Sequence, residues 1–271
     1  MRNPTSRGRS VEAGLVSTVY NVLAYAFLLA PILVVIALSF TSGNTLAFPP
    51  PGLSLRWFRY LADRSEFISS ALVGGQIAII ASVTAAALSI PAALALTRGQ
   101  FRFKTAIEGL LMSPAILPGI ITGVALLQYF TMIGLVRSFP RLVIAHVIIC
   151  LPYAMRSMTA CLRGIDPDLE EASRTLGASP WRTFRRVLLP LLKPGVIAAL
   201  IFSFVTSFDN VVVSIYLVGG DTVTLPIRIF TYLEWQFDPS IAAISTIFVA
   251  VTTIVIIVVE RVTGITAEPS A

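Results

Sequence analysis

Few side chains in this 271-residue chain could do chemistry, and most of those stand alone. Asp209 lies in Phe202-Ser-Phe-Val-Thr-Ser-Phe-Asp-Asn210-Val-Val-Val213, an otherwise apolar run. Within a bilayer a carboxylate costs about 2.5–3.5 kcal/mol on insertion scales, so it faces protein or water and is a candidate for a solute pathway. Asn210 beside it joins that candidate pathway. Pairing with backbone donors or across a subunit interface is the structural alternative. The single histidine, His146, could relay protons or be a hydrogen-bonded core residue. Cys150 and Cys161 are the only cysteines. On one helix they would stand about 16 Å apart, too far to bridge. No metal-ligand spacing is present, and an embedded enzyme would need grouped His, Asp or Glu side chains. There is no Gly-x-x-x-x-Gly-Lys-Ser/Thr phosphate loop, and Gly219-Gly220-Asp221 reads as a turn. No catalytic residue, metal or resident cofactor is expected.

The elements that hold these groups are dictated by lipid. The chain is 56% apolar and 13% charged, with mean hydropathy +0.84, whereas a soluble domain carries about 25% charged residues. The net charge of +6 does not form a basic face with interleaved aromatics, so nucleic acid is not an expected partner. A hydrocarbon core ~30 Å thick needs ~20 apolar residues per helix. Six stretches qualify, about Val22–Thr41, Ile68–Leu96, Ala106–Phe130, Leu142–Ala160, Gly195–Val218 and Ile241–Val259. The expected fold is therefore all-α and polytopic, with six transmembrane helices. The first stretch follows Arg2, Arg7 and Arg9. Its apolar part is longer than the ~7–15 residues of a signal core, so it reads as a retained span. The third contains Pro114, Pro118, Gly119 and Gly123. Its two prolines remove backbone donors and kink the helix. Irregular backbone at membrane depth is tolerated where it is buried in protein or lines a cavity. Pro114 and Pro118 are thus pathway candidates, a packing kink being the alternative.

Lys and Arg in short loops set orientation. With the N-terminus inside, the inner segments hold 14 of the 20 Lys and Arg residues and the outer ones hold Arg56, Arg59, Arg64, Arg137, Arg141 and Arg228. Residues 1–21 and 261–271 are then cytoplasmic, and 22–260 form the membrane domain. In the outer loop Ser42–Phe67, Pro49-Pro50-Pro51-Gly52 leads into Leu55-Arg-Trp-Phe-Arg-Tyr60. That cluster suits either a short helix at the membrane surface or an aromatic belt anchoring the next span.

The cytoplasmic loop 161–193 is the most informative segment. Asp166 suits an N-cap, Pro167 a first helical position, and Asp168, Glu170 and Glu171 complement the positive helix end. Gly177 supplies a left-handed stop. Ser179 and Pro180 then open a second helix that ends against Pro190. Both helices are too short to be stable alone. Leu169, Leu176, Trp181 and Phe184 offer apolar anchors, so the pair reads as a docking element for a partner protein.

The spacing within this loop resembles that of binding-protein-dependent ABC importer permeases. Their loop has the form Glu-Ala-Ala, three residues, Gly, nine residues, Ile-x-Leu-Pro. Here Glu171-Ala172-Ser173, Gly177 and Val187-Leu188-Leu189-Pro190 stand at those spacings, with Ser173 and Val187 as mild departures. The resemblance implies a type I ABC importer permease fold in a bacterial inner membrane. It also implies that Glu171, Ala172, Gly177, Leu189 and Pro190 form the ATPase-coupling loop. The implied partners are a dimer of ABC ATPase subunits that binds ATP and Mg, a second permease subunit, homologous or identical, and a soluble solute-binding protein outside. Further segments resemble the spermidine/putrescine branch: Pro51–Phe58, Ala145-His146, Leu151-Pro-Tyr153, Ser207–Asn210 and Thr224–Arg228. Gly119 departs, because that branch often carries an acidic residue there. This weakens the expectation of a polycation, and related permeases of the branch handle opines, amino-acid derivatives or aminophosphonates. A secondary transporter or channel is the main rival. It predicts inverted repeats or several intramembrane ion ligands, and leaves the Glu171–Pro190 loop without a role.

Overall fold

The computed structural model describes residues 5–220, 222–236 and 238–263, with side chains from Ser17 onward except at 259, 260, 262 and 263. Arg2, the side chains of Arg7 and Arg9, Asp221 and the tail beyond residue 263 lie outside the described residues. No strand occurs among the described residues. Two isolated bridges, Thr41 with Leu53 and Gly219 with Thr222, are the only extended pairings among them. The fold is all-α, as the composition requires.

The chain divides into two units. The first comprises residues up to Arg64 together with Leu233–Ala250. Its helix α1 (Thr5–Ser39) carries the first apolar stretch, with large side chains such as Tyr20, Leu23 and Phe27 exposed. A surface of that kind suits lipid. Helix α2 (Arg56–Ala62) forms where the Arg and aromatic cluster predicts a short helix. The Arg56 guanidinium donates to the Gly43 carbonyl and to Asn44 Oδ1, and lies 4.5 Å over the Trp57 ring.

The second unit, Ser65–Tyr232 with residues from Val251 onward, holds the packed core. Helices α3 (Ser65–Arg98), α6 (Ser138–Arg163) and α10 (Lys193–Phe208) pack on one another. Their buried positions are mostly small. On α10, Gly195, Ala199, Ser203 and Ser207 recur every fourth residue, and on α3 Gly74, Ala78, Ala81, Ala85, Ser89 and Ala93 form the matching stripe. In lipid no hydrophobic force draws helices together, so close backbone approach through small residues carries the packing. A Cβ on Gly195 would meet the Cys161 Cβ at 2.6 Å, which shows how close α10 runs to α6.

Among the described residues, four helical stretches are long and apolar enough to cross a membrane: Ser17–Ser39, α3, α6 and Ser240–Val258 of α12 (Ser240–Thr263). The third and fifth expected spans are not continuous helices. Residues 104–132 form α4 (Lys104–Ile116) and α5 (Gly119–Met132), bent by 108°. Pro114 is absorbed within α4. Pro118 causes the break, because the residue before a proline is pushed out of the helical region, and Leu117 is extended with ψ 141°. The fifth span, expected to reach Val218, ends at Phe208 with Asp209 as its C-cap. Residues 211–218 instead form a short irregular turn with one 3₁₀ segment, Ser214–Tyr216. Asp209 is thus not near the middle of a helix but at its exposed end. Helix α11 (Leu225–Trp235) follows that turn.

Candidate functional site

The Glu171–Pro190 segment folds as its punctuation predicts, with two shifts. Helix α7 (Asp168–Thr175) starts one residue late, and the Asp166 carboxylate accepts the Asp168 N–H at 3.0 Å. Gly177 takes φ +81°, the left-handed value expected of the stop. Ser179 caps α8 (Pro180–Thr183), accepting from the Arg182 N–H, with Pro180 in the first turn. The second helix does not stop at Pro190. A π-helical turn, Phe184–Leu188, leads into α9 (Leu189–Leu191), and the chain bends by 64° only at Leu192. In an α-helix Pro190 would leave a carbonyl without its donor and press its ring on the preceding turn. The wider π-turn accommodates it.

Ser173, which departs from the family's Ala, places its Oγ 3.0 Å from Oγ1 of buried Thr183 and ties the two short helices together. Leu188 and Leu192 are buried with Leu96, Met158, Leu162 and Ile165 at the ends of α3 and α6. The opposite side stays open. Leu176 is 88% and Trp181 68% exposed, and Trp181 stacks on Phe184 at 5.5 Å. Glu171 and Ala172 are also exposed, as are Leu189 and Pro190. The five expected coupling residues therefore share one projecting segment.

Of the pathway candidates, Pro118, Asp209 and Asn210 fall at the two helix breaks, which meet. A Cβ on Gly119 would lie 2.9 Å from Val212 Cγ1, and one on Gly123 only 2.6 Å from the Tyr216 ring and 3.3 Å from the Val213 Cα. Glycine at 119 and 123 thus lets the Pro118 break seat directly against the turn that follows Asp209. Asn210 has a clear structural task, its Oδ1 accepting the N–H groups of Val213 at 3.0 Å and Ser214 at 3.4 Å. The Asp209 side chain is exposed and has no partner among the described residues. Pro114 lies a turn back within α4, so it does not share this contact.

His146 is the buried hydrogen-bonded residue of the two alternatives. Its ring nitrogens lie 2.6 Å from Ser207 Oγ and 2.8 Å from Ser214 Oγ. One ring nitrogen of a neutral imidazole donates and the other accepts, so His146 of α6 pins both ends of the break that carries Asp209. Sequence reading also missed Arg98. It is the last residue of α3 and makes an ion pair with Glu170 of α7 at 3.0 Å. The sequence offered only one cue, an Arg closing a long apolar run, which reads equally well as a topology signal.

Broken and continuous apolar helices of this kind, packed through small residues and carrying a capped helical pair, are those of a polytopic membrane protein. The chain belongs to the family of binding-protein-dependent transport system inner membrane components, which it matches over residues 12–265. It is similar to the spermidine/putrescine transport system permease protein PotC of Haemophilus influenzae, 32% identical over 241 residues, 89% of this chain and 93% of the relative. It also resembles the putrescine transport system permease protein PotI of Escherichia coli K12, 30% identical over 86% of this chain and 85% of that one. Among solved structures it shares the fold of a chain in a bacterial ABC transporter involved in the import of the acidic polysaccharide alginate. The TM-score is 0.72 over 99% of each chain, at 15% identity. This is a permease subunit of an ABC importer, of the branch that Pro51–Phe58, Leu151-Pro-Tyr153 and Ser207–Asn210 indicate.

Proposed function

We propose that this chain forms half of the translocation route for a small polar solute, a polyamine or a related amine or amino-acid derivative, delivered by a soluble binding protein from outside. A second permease subunit, homologous or identical, supplies the other half. An ATPase dimer holding ATP and Mg docks on the Glu171–Pro190 loop, and this chain hydrolyses no nucleotide itself. One observation carries the docking assignment: Leu176 and Trp181 flank the left-handed stop and remain largely exposed among the described residues. Two short helices with an exposed apolar face need a partner surface to be stable. Relatives named for spermidine and putrescine favour an amine. Gly119, lacking the carboxylate of that branch, favours one with fewer positive charges.

The test is purification from the native host through a tag on this chain, followed by uptake into vesicles. Nucleotide-binding subunits should co-purify. Excess unlabelled putrescine should compete with uptake of the labelled solute more effectively than spermidine does. A preparation that transports without any ATPase subunit would overturn the docking assignment.

The same reading places both termini and the loop in the cytoplasm. In a background lacking Cys150 and Cys161, Ser54→Cys should react with a membrane-impermeant maleimide in sealed cells. Ser179→Cys, on the exposed cap of α8, should react only after the cytoplasm is opened. Labelling of Ser179→Cys in sealed cells would invert the orientation.

A further inference from the structure

We propose that Arg98 is the positioning residue through which the docking segment moves the membrane bundle. The proposal rests on reading Glu171–Pro190 as the docking element. Arg98 closes α3, the helix that packs along both α6 and α10. Its Nε donates to Glu170 Oε1 at 3.0 Å and its Nη2 to the Ile165 carbonyl at 2.8 Å. One planar guanidinium therefore grips α7 by a side chain and the strand of chain entering α7 by its backbone. The fork of donors on arginine permits this double hold, which a lysine ammonium cannot reproduce with the same geometry. The Arg98 and Glu170 side chains are 28% and 13% exposed, so the pair is only partly screened by water.

The placement makes the clasp a transmission rather than an ornament of the surface. Glu170 sits next to Glu171, on the helix whose far end is the Gly177 stop. Apolar packing already joins the chain on either side of α9 to the ends of α3 and α6, through Leu188 and Leu192 against Leu96 and Leu162. That packing resists separation, but apolar contacts are non-directional and allow one surface to slide on another. A half-buried ion pair with a backbone hydrogen bond fixes α7 against α3 in rotation as well. Displacement of α7 by a docked ATPase must then turn the end of α3. Lys104, opening α4, donates to the Gly99 carbonyl at 3.2 Å and ties the following helix to the same point. The Pro118 break lies at the far end of α4.

The experiment uses the complete reconstituted transporter with Arg98→Gln, Glu170→Gln, the double variant and, as a control on the docking face, Trp181→Ala. Three quantities are read: ATPase subunits retained on the complex, solute-stimulated hydrolysis, and solute moved per ATP consumed. Glu170→Gln keeps the side-chain shape and removes its charge, and Arg98→Gln leaves a shorter neutral polar side chain in a partly exposed position, so assembly should survive. Each single variant should retain its ATPase subunits and lower solute per ATP by at least about fivefold, the lower end of the coupling usual between linked sites. The double variant should be no worse than the poorer single, because each already removes the same interaction. Losses that multiply in the double variant would overturn the clasp. So would an unchanged ratio in Arg98→Gln, or loss of ATPase subunits in Glu170→Gln, which would place Glu170 in direct contact with the partner. Trp181→Ala separates the two readings. If it keeps both association and coupling, the docking reading itself fails. If it loses association while Arg98→Gln behaves as wild type, only the clasp fails.

Discussion

A chain carrying Gly177→Val should reach the membrane in normal amount and lose at least about 90% of its ATPase association. The backbone at this residue has φ +81°, and beyond its two chain neighbours no atom of the described residues lies within 4 Å of where a Cβ would stand. The penalty is therefore conformational and not steric. A left-handed conformation costs an L-residue about 1–2 kcal/mol, and for a β-branched side chain it is an outlier. The native turn makes two hydrogen bonds at this point, Gly177 N–H to the Arg174 carbonyl and Ala178 N–H to the Ser173 carbonyl. A valine relieves its strain by leaving that geometry, which re-aims α8 and with it Trp181. Misdirecting the docking face by even 1.4 kcal/mol of binding free energy is about a tenfold loss. Gly177→Ala should show a smaller loss in the same direction, since Gly-to-Ala at positive φ is the milder strain. Glu171→Lys is the electrostatic companion. It places a cation in the first turn of α7, against the positive helix end. Both variants leave the transmembrane helices untouched, so membrane content measured by immunoblot should match wild type while co-purified ATPase falls. Normal uptake by Gly177→Val and Glu171→Lys together would falsify the docking role.

Asp209→Asn should lower uptake per assembled complex by at least about tenfold for a cationic solute while leaving the complex no less stable. The stability half follows from where the residue sits. Asp209 caps the C-terminal end of α10, where the helix dipole is negative and disfavours an anion by roughly 0.3–1 kcal/mol. Asparagine keeps the shape and removes that repulsion. Its amide is also less costly than a carboxylate in lipid. The carboxylate has no partner among the described residues to leave unsatisfied. A lost transport function would then be a lost charge on the route, beside the contact between the Pro118 break and the 211–216 turn. For a neutral or anionic solute the same substitution should matter little, so the size of the effect also reports solute charge. If Asp209 instead pairs with the second permease subunit, thermal stability of the complex should drop before uptake does. A burial-dependent penalty of about 1–3 kcal/mol for the orphaned partner is expected in that case. Wild-type uptake per complex would remove Asp209 from the route.

What was legible in the sequence is what local rules decide. A low charge content leaves too little polar surface for water, and in lipid every backbone group must be satisfied within its own segment. That fixes helices, and the lengths of the apolar runs fix where they fall. The helices and turn of the 168–183 segment were legible for the same reason. Ser179, Pro180 and Gly177 act on their own backbone within three or four residues, so their effect does not wait for the rest of the fold. The end of the second helix was misplaced because Pro190 has two local solutions. A stop and a π-turn both satisfy the proline, and burial of Leu188 and Leu192 selected the second.

The tertiary structure alone decided how the two breaks are used. Composition marks residues 106–130 and 195–218 as apolar enough to span, but hydropathy is a sum and carries no direction. The 108° bend at Leu117–Pro118 and the end of α10 at Phe208 emerge where α5 meets the 211–216 turn, through the missing side chains of Gly119 and Gly123. His146 joins residues 61 and 68 positions away, and Arg98 reaches a carboxylate 72 positions along the chain. In the sequence His146 could be a relay and Arg98 a topology charge. The worth of a polar side chain in a membrane protein is set by which partner satisfies it, and only the packing of α3, α6 and α10 brings those partners within hydrogen-bonding distance.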